Sequence, residues 1–285
     1  MIPDPLPRTA VVTVTYNSEK ILDAFLKSIE ESESQPPTVV IADNRSEDLA
    51  SVRAISSAHG ARLLELDRNL GYGGAVNAAV RVLDPSFEYV LISNPDLIVH
   101  RGAISRLVER MDQDPRAAAV GPRVLNPDGT TYPSARLVPS LRTGIGHALL
   151  TRVWPTNPWT RAYRAEQDHP DRVRSAGWLS GACVLVRRSV FEELGGFDEG
   201  YFMYFEDVDL GYRFGRGGWR NIYEPAAEVT HAGAHSTSTQ SARMLAAHHA
   251  SAYRFLARKY RGWYLAPLRW TLRIALDVRF RLSRH

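Results

Sequence analysis

Through the first hundred residues, short apolar runs rich in β-branched side chains alternate with stretches whose apolar positions recur every three or four residues. This is the pattern of a parallel sheet with crossover helices. Ala10 to Thr15 reads as a buried strand. Ser18 is placed to cap a helix in which Ile21, Leu22, Phe25, Leu26 and Ile29 share one face, and Gln35-Pro36-Pro37 ends that unit. Thr38 to Asp43 gives a second strand and Arg62 to Leu66 a third. The glycine-rich segment Asn69 to Gly74 then opens a helix to Leu83, and a fourth strand, Tyr89 to Ser93, ends in Asn94-Pro95-Asp96.

Further along, Ala117 to Leu125 reads as a strand followed by the turn Asn126-Pro127-Asp128-Gly129. Pro133 to Asp171 is a Pro-, Trp- and Arg-containing connection, longer than a passive loop usually is. Gly181 to Val186 is another buried strand, and Ser189 to Glu192 has the spacing of a capping box opening a short helix that stops at Gly195-Gly196. The expected organisation is α/β, with residues 1–125 and 126–240 as two halves and 241–285 as a helical tail.

Composition supports a sizeable core, with 44% hydrophobic and 23% charged residues in 285. The lone cysteine, Cys183, excludes an internal disulfide framework and fits a reducing compartment. The start, with three prolines and an acid in its first seven residues, lacks the basic-then-apolar order of an export signal. No stretch free of Asp, Glu, Lys and Arg exceeds fourteen residues, too few for a membrane-spanning helix.

The net charge of +4 is unevenly placed: Arg254 to His285 carry nine Arg/Lys against one acid, Asp277, a net +8, leaving −4 on everything before. A basic tail is not the spread recognition surface of a nucleic-acid binder, and no such partner is expected. Leu265, Leu268, Leu272 and Leu276 recur there at helical spacing, with Trp263, Tyr264, Trp270 and Phe280 as aromatics suited to an interface. An amphipathic helix on an anionic membrane surface and a helix packed on the domain or on a second subunit both fit that pattern.

Parallel sheets bind ligands at the carboxyl ends of their strands, so Thr15-Tyr16-Asn17, Asp43 and Asn94-Pro95-Asp96 should gather at one crevice, although each alone also fits a turn. Gly71-Tyr72-Gly73-Gly74 follows the third strand, and Val76 stands where a dinucleotide fingerprint has its last glycine. The segment reads equally as a structural turn or a ligand loop, with Arg68 placed to meet a phosphate. Asp96, at a strand end, suits Mg2+ or Mn2+ bridged to a nucleotide diphosphate. Glu206, Asp207 and Asp209 follow a string of aromatics; Asp209 has Arg213 as its i,i+4 partner. Glu206 and Asp207 fall at a helix start, where the dipole favours the ionised form that a general base needs. His231 is a metal ligand only if Asp96 lies nearby, and His235, His248 and His249 read as structural.

In order, Val11 to Asn17, Val40 to Asn44, Asn69 to Asn77, Asn94-Pro95-Asp96, Ser180 to Cys183, Gly195 to Asp198 and Phe205 to Leu210 resemble the motifs of family 2 glycosyltransferases across roughly residues 8 to 235. The resemblance implies a GT-A fold and inverting, metal-dependent transfer from a nucleotide-sugar. Thr15, Tyr16, Asn17 and Asp43 would hold the nucleoside, with Arg68, Gly71, Asn77 and Asn94 on the donor side. Asp96 and His231 would bind the metal, Mg2+ or Mn2+, with Asn94 replacing the first aspartate of the usual pair. Asp207 matches the catalytic base, Glu206 its neighbour, and Trp178, Ser180, Gly181 and Ala182 the acceptor-side wall. Within the family, the chain is similar to bacterial rhamnosyltransferases, especially the mycobacterial type that adds L-rhamnose from dTDP-L-rhamnose to polyprenyl-diphosphate-linked N-acetylglucosamine of the arabinogalactan linker. That implies a cytoplasmic enzyme, peripheral on the inner face of the cell membrane. A UDP-sugar-dependent relative, or a non-catalytic scaffold on the same fold, is the alternative. A sugar nucleotidyltransferase would open with a glycine-rich loop after strand one, where this chain has Thr15-Tyr16-Asn17-Ser18.

Overall fold

Seven consecutive buried residues, Thr9–Thr15, form β1 at the heart of the molecule. In this computed structural model residues 8–140, 171–231 and 242–282 are described. The chain continues through α1 (Glu19–Ser32), β2 (Thr38–Asp43), α2 (Leu49–Ala58), β3 (Arg62–Glu65), α3 (Gly71–Arg81) and β4 (Tyr89–Ser93). Next come β5 (Leu97–Val99), α4 (Ala103–Gln113), β6 (Ala117–Leu125), β7 (Thr131–Tyr132) and β8 (Ala135–Arg136). After residue 170 follow β9 (Arg174–Ala176), β10 (Trp178–Leu179), β11 (Cys183–Arg187), α5 (Arg188–Glu193), α6 (Glu206–Arg216) and β12 (Arg220–His231). Two helices, α7 (Ala242–Lys259) and α8 (Ala266–Leu282), close the described chain.

The main sheet runs β3-β2-β1-β4-β11-β6-β12-β5, with β7 beside β6 and β9 beside β12. β1 to β4 are parallel neighbours and β12 is parallel to β6, whereas β11 is antiparallel to both β4 and β6. One sheet thus draws strands from both sides of residue 125. β8 and β10 form a separate antiparallel pair.

Strand side chains alternate between faces. Val11, Ile41 and Leu91 pack against Leu22, Phe25 and Ile29 of α1 and Ile104, Leu107 and Met111 of α4. Ala10, Val12 and Val90 meet Ala75, Val76 and Ala79 of α3 and Leu210 and Phe214 of α6 on the other side. Each large apolar side chain so buried contributes roughly 1.5–3 kcal/mol. A smaller cluster of Tyr201, Val208 and Phe255 seats α7 against the segment entering α6.

Local chemistry departs from the pattern in three places. Ser18 sits at the start of α1, but its hydroxyl turns back to donate to the Tyr16 carbonyl and caps no helix N–H. Ile21 is 40% exposed, so the buried stripe of α1 begins at Leu22. The Ser189 capping box does not form: α5 starts a residue earlier, and Glu192 accepts from Arg188 Nε at 2.8 Å instead. The stop at Gly195-Gly196 is as expected, both having positive φ. Most of the long connection, residues 141–170, lies outside the described residues, as do His235 and the side chains of Leu276 and Phe280.

Candidate functional site

The carboxyl ends of β1, β2 and β4 lie side by side because these three strands are parallel neighbours. Thr15 and Asp43, paired across β1 and β2, are both buried. The Asp43 carboxylate accepts from Thr15 Oγ1 at 2.9 Å, Ser46 Oγ at 2.6 Å, and the N–H groups of Arg45 and Ser46. Both residues therefore build the floor and the loop geometry of the crevice. Asn17, at φ 52°, locks onto the same loop, its N–H donating to Ser46 Oγ and its Oδ1 accepting from the Glu47 N–H. Tyr16, Asn17, Arg45 and Arg68 are exposed at this end.

The glycine-rich segment resolves as close packing of chain on chain. Gly71 has φ 74°, and a Cβ there would run into the Phe202 carbonyl oxygen; a Cβ on Gly73 would meet Phe197 at 2.8 Å. Asn44 fastens the start of α3, donating to the Gly71 carbonyl at 3.0 Å and accepting from the Leu70 N–H at 2.8 Å. Asn77, expected on the donor side, is instead a buried clamp. Its Nδ2 donates to the Phe197 carbonyl at 2.9 Å and to Glu199 at 3.2 Å, and its Oδ1 accepts from the Phe197 N–H at 2.9 Å. Both amide hydrogens and Oδ1 go to holding the segment that leads to α6.

Asp96 and His231, 135 positions apart, meet: His231 Nε2 lies 3.0 Å from Asp96 Oδ2. The register explains it, since antiparallel pairing of β5 with β12 sets His231 opposite Leu97, the residue after Asp96. The other carboxylate oxygen, Asp96 Oδ1, is buried without a hydrogen-bond partner. An orphaned carboxylate oxygen beside an imidazole is a donor set that fits a divalent cation. Among the described residues no group of three or more His, Cys, Asp and Glu could hold a metal.

A single turn, Ser180 to Cys183, joins this pair to the acids of α6. The Asn94 N–H donates to the Ala182 carbonyl at 2.8 Å, and the Gly181 N–H donates to Asp207 Oδ2 at 2.9 Å. Tyr72 Oη donates to the Gly181 carbonyl at 2.7 Å. Ser180 is buried, its N–H on the Ser134 carbonyl, and Trp178 donates from Nε1 to the Leu137 carbonyl at 3.1 Å.

Glu206 and Asp207 open α6, directly after Tyr204 and Phe205, two non-glycine residues at φ 66° and 67°. Such paired left-handed residues are strained and are found where the surroundings fix them. At this helix terminus burial works against the ionised form that the dipole favours. Burial raises the Glu206 carboxyl to about 8, helped by the neighbouring Asp207 charge, and Glu206 Oε2 has no partner. Burial likewise raises Asp207, against the pull of the Gly181 and Val208 N–H groups and of Arg136. Desolvation outweighs the dipole here. Asp209 pairs with Arg213 at 2.6 Å as the spacing predicts, and with Arg258 of α7 at 3.4 Å.

Tyr72, Asn44 and Arg136 also reach this region, Tyr72 and Asn44 through hydrogen bonds and Arg136 through its charge on Asp207, and sequence reasoning gave none of them a role. The tail is also more integrated than its charge suggests. Arg254 and Arg258 of α7 both bind Asp198, and His248 packs edge-on against Tyr204 and Phe205 with centroids 5.6 and 5.4 Å away. Leu265, Leu268 and Leu272 are half-buried, whereas Trp263, at 86%, and Trp270, at 71%, stand exposed with Tyr264 and Ile274. Among the described residues no helix is long and apolar enough to cross a membrane.

Comparison with known proteins places this geometry in context. The profile of the family described as Glycosyl transferase family 2 matches residues 10–195. The N-acetylglucosaminyl-diphospho-decaprenol L-rhamnosyltransferase of Mycobacterium tuberculosis is 48% identical over 98% of this chain and 92% of its own length. Rhamnosyltransferase WbbL of Escherichia coli is 26% identical over 87% of this chain and 92% of its own. A solved mannosyltransferase, PcManGT from Pyrobaculum calidifontis in complex with GDP-Man and Mn2+, shares the fold with a TM-score of 0.61 at 20% identity, covering 99% of this chain and 73% of that one.

Proposed function

The chain belongs to glycosyl transferase family 2 and has its GT-A fold, and from that premise we propose that it transfers L-rhamnose from dTDP-L-rhamnose to a hydroxyl of polyprenyl-diphosphate-linked N-acetylglucosamine. The 48% identity to the mycobacterial decaprenol-linked enzyme supports the acceptor and the rhamnosyl group transferred. One observation of geometry carries the mechanism: the Gly181-Ala182 turn ties Asp207 to Asn94, two residues from the Asp96–His231 pair.

Residues 1–125 form the donor half and 126–240 the acceptor half, joined in one sheet. Tyr16, Asn17 and Arg68 take the nucleotide over the floor made by Thr15 and Asp43. Asp96 and His231 would hold Mg2+ or Mn2+, and that cation, when bound, neutralises the diphosphate of the departing nucleotide. Asp207 accepts the proton of the attacking hydroxyl while its Oδ2 is held by the Gly181 N–H and its Oδ1 by the Val208 N–H at 2.8 Å. The hydroxyl displaces the nucleotide in line, inverting the anomeric carbon without a covalent enzyme intermediate. Trp178 and the Ser180–Ala182 turn wall the acceptor. The tail, 241–285, places the protein at the inner face of the cell membrane, where a lipid-linked acceptor is concentrated.

The test is a panel of nucleotide-sugars offered with a short-chain polyprenyl-diphosphate-GlcNAc, the product identified by mass. A disaccharide one deoxyhexose heavier than the acceptor, made from dTDP-L-rhamnose, is expected. Preference for a UDP-sugar overturns the donor, and no turnover of any donor leaves a scaffold.

A further inference from the structure

Arg136 is a cation held in place with no carboxylate paired with it among the described residues. It ends the short strand β8, where antiparallel pairing sets it opposite Trp178 of β10. Its guanidinium lies 5.8 Å from the ring centroids of both Tyr132 and Trp178, and its Nε donates to the Pro133 carbonyl at 2.8 Å. Its own carbonyl accepts from the Gly177 N–H at 2.8 Å, fixing the backbone beneath it. No described carboxylate pairs with it, and its two Nη groups have no described partner. Yet its charge reaches Asp207. Other described arginines are spent on carboxylates: Arg213 on Asp209, Arg254 and Arg258 on Asp198, Arg123 on Asp171.

A planar guanidinium tethered at Nε beside two aromatic rings, its other donors unpartnered among the described residues, is suited to bidentate recognition of a phosphate. We infer that Arg136 binds a diphosphate, that of the acceptor, and so selects prenyl-diphosphate-linked sugars over neutral glycosides. This rests on the acceptor reading above. The donor's diphosphate is the other source of the same chemistry, but its site lies at the ends of β1, β2 and β4, whereas Arg136 stands on the β8–β10 pair beside the acceptor-side tryptophan. From there it spans the sugar whose hydroxyl Asp207 deprotonates: the anionic end of the acceptor on Arg136, the reacting hydroxyl on the base.

The experiment uses the full chain with dTDP-L-rhamnose and a divalent cation, and compares farnesyl-diphosphate-GlcNAc with octyl β-GlcNAc as acceptors. R136Q should raise KM for the diphosphate-linked acceptor at least about tenfold, the range for losing a hydrogen bond to a charged group. KM for the octyl glycoside and KM for the donor should hold, and any change in kcat from the lost charge beside Asp207 should be the same with both acceptors. R136K, which keeps the charge but not the fork, should fall between; where R136Q does not fold, the ratio of the two acceptor KM values in R136K decides. An equal rise of KM with both acceptors, or a fall in kcat with both acceptor KM values unchanged, makes Arg136 only an electrostatic neighbour of Asp207 and overturns the inference. A rise confined to the donor KM assigns the guanidinium to the donor and overturns it too. A wild-type enzyme that uses the diphosphate-linked acceptor no better than the octyl glycoside overturns the acceptor reading itself, visible before any variant is made.

Discussion

Gly181 donates its N–H to Oδ2 of Asp207 across 26 positions, at 2.9 Å. Its carbonyl is held by Tyr72 at 2.7 Å, so one residue is fixed at both polar atoms between α3 and α6. The donor stabilises the charged carboxylate that burial otherwise disfavours. Between these opposing effects the carboxyl holds its proton more tightly than a solvated aspartate does.

Asp207→Asn should therefore leave a folded protein, because the amide oxygen can still accept from Gly181, while transfer slows at least about a hundredfold, the low end for losing a general base. Donor binding by calorimetry should be unchanged. A near-normal kcat moves the base to another carboxyl, with Glu206 the first to test.

Asp96→Ala removes the orphaned Oδ1 and the partner of His231 together. Donor affinity should lose its dependence on Mg2+ or Mn2+, since Asn94 has no charge to take over. Titration of the donor with and without metal checks it: a metal effect preserved in the variant would place the cation elsewhere.

Glu206 gives a pH dependence of defined sign. A carboxyl raised from 4.5 to about 8 in the fold binds its proton more tightly folded than unfolded. Its contribution to stability is therefore present at acid pH and lost as pH climbs from about 4.5 through 8. Glu206→Gln, which cannot ionise, should gain on the wild type over that window by on the order of 1 kcal/mol or more. Denaturant melts at pH 5 and pH 9 compare the two; parallel curves would show that Glu206 does not carry this charge penalty.

The strands at the centre were legible because burial on both faces leaves little choice of residue: β2 and β4 have the bounds that their apolar runs set. β12 was not, since Arg220, Glu224, Pro225 and Glu228 interrupt it and its pairing with β6 shifts register between Glu224 and Glu228. α4 carries Ile104, Leu107, Val108 and Met111 at helical spacing, a signal passed over beside the stronger strand pattern around it. For the site, Asp96, His231 and Asp207 could be named from sequence order, but their linkage runs through backbone groups of Ala182 and Gly181, which no side-chain motif displays. Asn77 shows the reverse case, a motif residue whose partners lie about 120 positions away and make it a clamp.

That clamp has its own consequence. Asn77→Ala leaves the buried N–H and carbonyl of Phe197 without partners, each costing about 1–3 kcal/mol. The variant should melt at least several degrees lower, with kcat reduced through the loosened segment rather than through donor affinity. A donor KM that rises while the melting point holds would return Asn77 to the donor pocket.

The two helices of the tail, α7 and α8, make different contacts. Deleting α8 would also expose α7, whose Arg254 and Arg258 hold Asp198 and, through Arg258, Asp209 of the catalytic helix. Arg269 is itself spent on the Tyr260 and Gly262 carbonyls at the end of α7, and Arg273 lies over Tyr253 at 5.7 Å. Substitution on the outer face is the cleaner probe. Trp263, Trp270 and Ile274 are exposed while the leucines turn inward, so replacing all three by Ser removes apolar surface from the outside only. On an anionic bilayer such aromatics sit at the headgroup level, and basic groups near the surface contribute about 1 kcal/mol each. The triple variant should melt as the wild type does, bind phosphatidylglycerol vesicles at least about tenfold more weakly, and lose rate on a long polyprenyl acceptor more than on a short soluble one. Unchanged vesicle binding together with a shift from dimer to monomer in sedimentation would make this face a contact with a second copy of the chain.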